Sequence, residues 1–317
     1  MFQRISQQLI LLLGVLWSWQ AIASDDNFTL PIEEIEQKLT QEDFEVSQMR
    51  GSRFKGDLTK RALLKFPDGW VQVKWKRSNY GGEAPNNQPR YEVAAYELQK
   101  LFLDPEDYVV PPTSVRCLPV TQYQRIESFV DPTFNNTNYV FFVLQYWLEN
   151  VSNRFEFDKK RYKKDETYAK YVGNLNIFSY LIKHADSNVG NFLISKNPSA
   201  PRVFAVDNGL AFGRLQSDKG YEWQDLQVKR LPKETVERLR NITLEKLTQQ
   251  VAVVAQFENK DGHMVLVAPT ANLNEKRGVR NKDGVVQFGL TSNEIKQVYR
   301  RLQKLLKRVD DGKIETF

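Results

Sequence analysis

Residues 184–209 read HADSNVGNFLISKNPSAPRVFAVDNG, and a few polar positions in this stretch decide how the chain is organised. An apolar helix runs up to His184, an Asp follows at 186, and Asn191 and Asp207 flank two strand-like runs, FLI and VFAV. A strand–turn–strand arrangement gathers the polar ends of such runs in one place. Taken singly, Asp-Ser-Asn and Asp-Asn-Gly are ordinary turn sequences, and each half fits a plain hairpin. Order and spacing give the sharper reading. His184-x-Asp186 followed by Asn191 has the form H-x-D-x-x-x-x-N, and Asp207-Asn208-Gly209 sits one strand unit later, where a second carboxylate is needed. Phosphoryl transfer uses such a set: one carboxylate meets the attacking hydroxyl, while an amide oxygen and another carboxylate hold a divalent cation on the phosphates.

Two upstream residues complete that set. The segment 51–77, GSRFKGDLTKRALLKFPDGWVQVKWKR, reads as a hairpin, with ALLKF and WVQVKWK joined by Pro-Asp-Gly. Alternation puts Val71, Val73 and Trp75 on one face and Gln72, Lys74 and Lys76 on the other. Lys74 closes a Val-x-Val-Lys strand, the position from which a lysine neutralises nucleotide phosphates; Lys76 is its competitor on the same face. Glu92 opens the helix RYEVAAYELQKLFL, from which a carboxylate can hold that lysine in place.

The remaining pattern predicts a mixed chain. A short helix is expected within 33–46, extended structure at VVPPTSVRCLPV (109–120), and a buried strand at NYVFFVLQYWLENV (138–151) that breaks at Glu149-Asn150. Beyond it lie expected helices at 165–183, 232–254 and 292–309. The last starts with an S/T-x-x-E box at Thr291 and Glu294 and carries an apolar stripe opposite a basic face of Lys296, Arg300, Arg301, Lys304, Lys307 and Arg308. The break near 150 divides a sheet-rich lobe, 24–149, from a helical lobe, 150–317, that carries the catalytic loop.

Residues 1–23 read as a cleavable export signal: Arg4, the short apolar run LILLLGVLW, and Ala21-Ile22-Ala23 ahead of Ser24. Export to a periplasm, the medium or a secretory lumen is therefore expected, with no transmembrane helix in the mature chain. A single cysteine, Cys117, excludes an intramolecular disulfide, and one Cys with two His leaves too few soft ligands for a zinc cluster. The net charge of +6 is spread along the chain, which shows no specific nucleic-acid motif. No G-x-S-x-G elbow serves a serine hydrolase, and Asn191 and Asn197 stand where a calcium loop starting at Asp186 needs Gly and Glu. His184 reads as a loop brace and His263 as a surface residue.

These motifs resemble a family of atypical kinases that includes the secretory-pathway casein kinases, the HipA-type kinases and, more distantly, the phosphatidylinositol 3- and 4-kinases. RYEVAAYELQKLF with VVPPT, IFSYLIKHAD and DNGLAFG are similar to the secretory kinases' Glu-bearing helix, catalytic-loop helix and metal-binding turn; DSNVGNFLI is closer to the lipid kinases. The resemblance covers residues 50 to 215. It implies an α+β, two-lobed protein-kinase-like fold using ATP with Mg²⁺ or Mn²⁺. It implies phosphate binding by Lys74, orientation of that lysine or help in coordinating metal by Glu92, catalysis by Asp186 and cation ligation by Asn191 and Asp207. It also implies a hinge of Gln145, Tyr146, Trp147 and Leu148 that reads adenine with main-chain groups. Ser187-Asn188 replace the family's frequent Arg-His, Gln72 stands where a small residue often roofs the adenine, and Gly51 and Gly56 do not make a phosphate-cradling glycine loop. The expected partner is an unknown hydroxyl-bearing acceptor, an acidic protein or anionic lipid. A nucleotide-binding pseudokinase and a transferase moving AMP or another group are the alternatives.

Overall fold

The computed structural model describes residues 26–51, 58–188, 190–213, 215, 217, 218 and 220–317. The expected signal segment, 1–23, and Gly56 lie outside these residues. Within them no helix is long and apolar enough to cross a membrane. The architecture is mixed α+β, with a sheet-rich and a helical part.

Helix α1 (Ile32–Thr40) buries Ile35 and Leu39 and leads into β1 (Glu45–Gly51), a strand not anticipated from the sequence. The hairpin forms as expected. β2 (Thr59–Phe66) and β3 (Gly69–Arg77) pair antiparallel across Pro67-Asp68, with Arg61 opposite Lys74 and Leu63 opposite Gln72. Helix α2 (Pro89–Gln99) starts with Pro at its first position, which suits a site whose N–H has no helical acceptor. It is followed by β4 (Thr113–Pro119), the single-turn α3 (Val120–Tyr123) and β5 (Tyr139–Tyr146). The five strands make one sheet in the order β1-β2-β3-β5-β4. All eight residues of β5 are buried, as its apolar run Tyr139–Leu144 suits a strand covered on both faces, and the one amide in it, Gln145, bonds to Thr113.

One face of β4 and β5 packs toward α1 and α2. The other meets an unexpected element. Beyond residue 254 the chain forms β10 (Ala255–Lys260), β11 (His263–Val267), β12 (Val279–Lys282) and β13 (Val285–Phe288), a four-stranded sheet in the order β11-β10-β13-β12. Phe141 of β5 contacts Phe257 edge-on at 5.1 Å and Phe288 at 5.7 Å, closing a second apolar core with Val115, Val143 and Val286. The expectation of a helical lobe over 150–317 is corrected here for its later part: residues 255–288 are strand and turn and lie against the first sheet. His263 is exposed, as expected.

Between the two sheets in sequence come β6 (Val151–Ser152), α4 (Lys159–Lys164), α5 (Glu166–Ile182), β7 (Phe192–Ser195), β8 (Val203–Ala205), β9 (Arg230–Leu231), α6 (Lys233–Arg240) and α7 (Leu244–Val251). β6, β7 and β8 form a small antiparallel sheet. Asp165 caps α5 by accepting the Tyr168 N–H, and Lys183, at φ 51°, ends it in the left-handed conformation. The single helix expected over 232–254 is two helices. Asn241 ends the first, and the Thr243 hydroxyl accepts the Lys246 N–H to start the second, because a capping side chain competes with helix continuation. Helix α8 (Ser292–Asp310) carries the expected capping box at Thr291 and Glu294. Its basic face is not wholly outward, since Arg301 turns in and its Nε donates to the Leu181 carbonyl at 2.7 Å. β14 (Glu315–Thr316) closes the chain by pairing in parallel with β9.

The sheet-on-sheet core should carry much of the stability. Phe257→Ala removes a 2% exposed ring from it and is expected to cost about 3–5 kcal/mol, read as a lowered urea midpoint with an unchanged slope.

Candidate functional site

Strand β3 presents Lys74 and Lys76 on the face opposite Val71, Val73 and Trp75, and both ammoniums are buried against α2 and the turn after β8. Lys74 Nζ lies 3.1 Å from Glu92 Oε1 and 3.2 Å from Asp207 Oδ1. Lys76 Nζ lies 3.4 Å from the same Asp207 oxygen and 4.0 Å from Glu92 Oε1. The other Glu92 oxygen accepts the Asn208 N–H at 2.9 Å, which ties the turn to the helix. Asp207 is itself left-handed, at φ 59°, a conformation Asp tolerates better than most side chains do.

The electrostatics follow from this packing. Burial opposes the Lys74 charge, yet Asp207 and Glu92 outweigh it and raise the ammonium above its ordinary range. Lys74, with Lys76 behind it, holds the Asp207 carboxyl far below the usual carboxylate range despite burial. Glu92 donates no charge to solvent, being 1% exposed, whereas the Asp207 carboxylate still opens on a cavity.

That cavity, about 890 Å³, runs between the first sheet and the β6–β8 side of the molecule. Lys74, Gln145, Tyr146, Trp147, Leu148, Asn191 and Asp207 all line it, together with Thr59, Leu193, Val206 and Lys196. Seven of the positions singled out in the sequence therefore share one hollow. Glu92 stands behind Lys74, and Asp186 behind Asn191, without lining it. The apolar side chains Leu193 and Val206 were not singled out; the FLI and VFAV runs that carry them were the available signal.

In the segment 145–148 most main-chain donors are already engaged. Tyr146 N–H goes to Pro112 O and Trp147 N–H to Gln72 O, both at 2.9 Å. Among the described residues the Leu148 N–H meets no protein acceptor, so it is the donor this segment can offer a ligand. Gln145 spends its side-chain amide on the Thr113 hydroxyl at 3.0 Å. Gln72 accepts a hydrogen bond from the Arg61 guanidinium, which stacks on the Trp147 ring at 4.5 Å; Gln72 and Arg61 line a separate polar hollow with Arg50 and not this cavity, so Gln72 does not roof it.

The loop 184–191 is built around Asp186. The Asn191 amide donates to Asp186 Oδ2 at 2.8 Å and to its carbonyl at 3.0 Å, and the Asn188 amide donates to Oδ1. Asn188 thus takes up a bracing position that spacing alone did not assign. Gly190, at φ 109°, allows the reversal that returns Asn191 to Asp186. The end of α5 is held from outside the loop: Arg301 donates to Leu181 O, and Phe212 N–H to Ile182 O at 2.6 Å. His184, 1% exposed, accepts the Asp186 N–H at 3.4 Å and packs edge-on against Phe192 at 5.2 Å. This geometry is that of a neutral brace, as expected from the sequence.

The donor set suits a hard cation. Asn191 commits its N–H₂ to Asp186, which leaves its side-chain carbonyl oxygen for a ligand, and it lines the same cavity as Asp207. Among the described residues no three His, Cys, Asp or Glu side chains cluster to hold an ion by themselves. One carboxylate and one amide oxygen completed by ligand phosphates and water is the manner in which Mg²⁺ is bound. No model of a known protein family matches the chain, and no curated protein is similar to it in sequence.

Burial pushes the His184 imidazole down to about 4 from its ordinary 6.5, with Asp186 and Asp207 opposing the shift only partly. The unfolded chain then binds the proton more readily than the folded one. Stability contributed by neutral His184 is full above pH 6.5 and lost as pH falls toward 4. Urea midpoints measured from pH 7.5 to 4 should decline across that window, and His184→Gln should flatten the decline.

Proposed function

We propose that the protein is an exported, ATP-dependent phosphotransferase with a two-lobed, kinase-like arrangement, acting on a hydroxyl acceptor. One observation carries this reading. Lys74 is held within 3.2 Å of both Glu92 and Asp207, three segments far apart in sequence, at the wall of a cavity also lined by residues 145–148 and Asn191. Positive charge, oxygen ligands and the apolar side chains Leu148 and Leu193 along one cavity are the features that the phosphates, cation and base of a nucleoside triphosphate call for. The strand order β1-β2-β3-β5-β4 with α2 behind it also agrees with the sequence resemblance to atypical kinases.

In this reading the nucleobase lies against Leu148 and Leu193, with the Leu148 N–H as its main-chain donor. Lys74 binds the phosphates, and Glu92 keeps that ammonium aimed at them. Asn191 and Asp207 would hold a Mg²⁺ or Mn²⁺ ion, whose chemistry is to offset charge on the phosphate oxygens. Asp186 orients the acceptor hydroxyl and takes its proton as the new oxygen–phosphorus bond forms and the bond to the β-phosphate oxygen breaks, releasing ADP. The two amides of Asn188 and Asn191 fix the carboxylate for that task.

The acceptor class is an acidic protein or an anionic lipid of phosphoinositide type. Incubation of the purified protein with labelled ATP, Mn²⁺, acidic proteins and phosphoinositides tests turnover and acceptor class together. Asp186→Asn is expected to lower kcat by about 10²–10⁴-fold, the usual worth of a positioned general base, with a cooperative thermal transition retained though lowered by the loss of one amide bond to the carboxylate. Lys74→Met and Asp207→Asn should abolish labelling. Undiminished transfer by a folded Asp207→Asn protein would refute the assignment, and ATP binding with no product would reduce the protein to a nucleotide-binding module.

A further inference from the structure

A kinase-like site needs one strand lysine, and β3 carries two on the face that meets Glu92 and Asp207. Lys76 is 6% exposed, with Nζ 3.4 Å from Asp207 Oδ1 and 4.0 Å from Glu92 Oε1. Positions two apart on a strand share a face about 7 Å apart, so Lys74 and Lys76 press two ammoniums into one buried region. Burying like charges together is costly unless opposite charge meets them. Glu92 and Asp207 do so, and the four side chains balance to zero with no ion among them.

The balance is not evenly shared. Glu92 commits one oxygen to the Asn208 N–H and the other chiefly to Lys74, leaving Asp207 as the close partner of Lys76. Asp207 also faces the cavity. An anion arriving beside that carboxylate therefore meets Lys74 at the cavity wall, with the Lys76 ammonium 3.4 Å from the same Asp207 oxygen. Lys74 pairs with the same oxygen, so an anion that draws one ammonium away leaves the other to hold the carboxylate.

We infer that Lys76 is a second phosphate-binding cation, which supplies in fixed form part of the positive charge that divalent ions otherwise bring to a nucleoside triphosphate. The inference rests on the cleft being a nucleotide site. It carries a consequence for ions: triphosphate binding persists without divalent metal, and the single pair of oxygen ligands at Asn191 and Asp207 suffices for one ion.

The test is calorimetric titration of the full chain with ATP and with ADP, once in EDTA and once in excess Mn²⁺, for the native protein, Lys76→Met and Lys76→Arg. In EDTA, Lys76→Met should weaken ATP binding about 10- to 100-fold, the worth of one charge-assisted hydrogen bond, and Lys76→Arg should restore most of it. In Mn²⁺ the defect should shrink. Equal ATP affinity of native protein and Lys76→Met in EDTA overturns the role of Lys76 and leaves the cleft reading standing. Failure of the native protein to bind either nucleotide in either buffer overturns both. Thermal unfolding is recorded for each variant, and Lys76→Gln carries the comparison if Lys76→Met does not fold.

Discussion

A buried ammonium must find a carboxylate or lose its charge, and that constraint organises this molecule around Lys74. Its partners Glu92 and Asp207 come from a helix 18 residues downstream and a turn 133 residues downstream. Buried ion pairs contribute little net stability over an apolar filling of the same volume, whereas removing one partner is strongly destabilising. The arrangement is therefore better understood as a way to fix charge at a cavity wall than as a source of stability. The same pairing holds Asp207 ionised and Lys74 protonated at the cavity wall.

Keeping Glu92 in place falls to the last third of the chain. Arg90 and Tyr91, just before it, both bond to Glu294, with Arg90 Nη1 at 2.7 Å. Glu294 also accepts the Thr291 N–H at 2.8 Å, so one carboxylate caps α8 and anchors α2. Two turns further on, Arg301 of α8 holds the carbonyl end of α5, from which the 184–191 loop springs. One helix thus ties both walls of the cleft, and the 255–288 sheet backs the first wall with aromatic packing. Residues that periodicity assigned only to packing have a positional role.

Much of this was legible in the chain. Alternation around WVQVKWK put Lys74 and Lys76 opposite Val71, Val73 and Trp75, since side chains change faces at every residue of a strand. The S/T-x-x-E box marked the start of α8, and the polar spacing through 184–209 marked Asp186, Asn191 and Asp207. The strands of 255–288 were also signposted, by Asp261-Gly262 and Asp283-Gly284. Both pairs adopt the positive φ angles of a tight hairpin turn, 52° and 85°, then 50° and 79°. Their flanking runs are short and half polar, so their period-two pattern is weak beside the helical pattern that precedes them. The split of 232–254 was hidden because a capping threonine looks like any polar residue on a helix face.

The sequence by itself determined which residues have the chemistry and which local element each stands on. Those properties depend on side-chain type and on periods of two or 3.6 residues, which operate over short spans. Only the tertiary structure decided that Lys76 joins Lys74 at Asp207, that Asn188 braces Asp186, and that Arg301 turns inward. Each depends on distances between segments far apart in the chain, and those distances are set by how the sheets and helices pack.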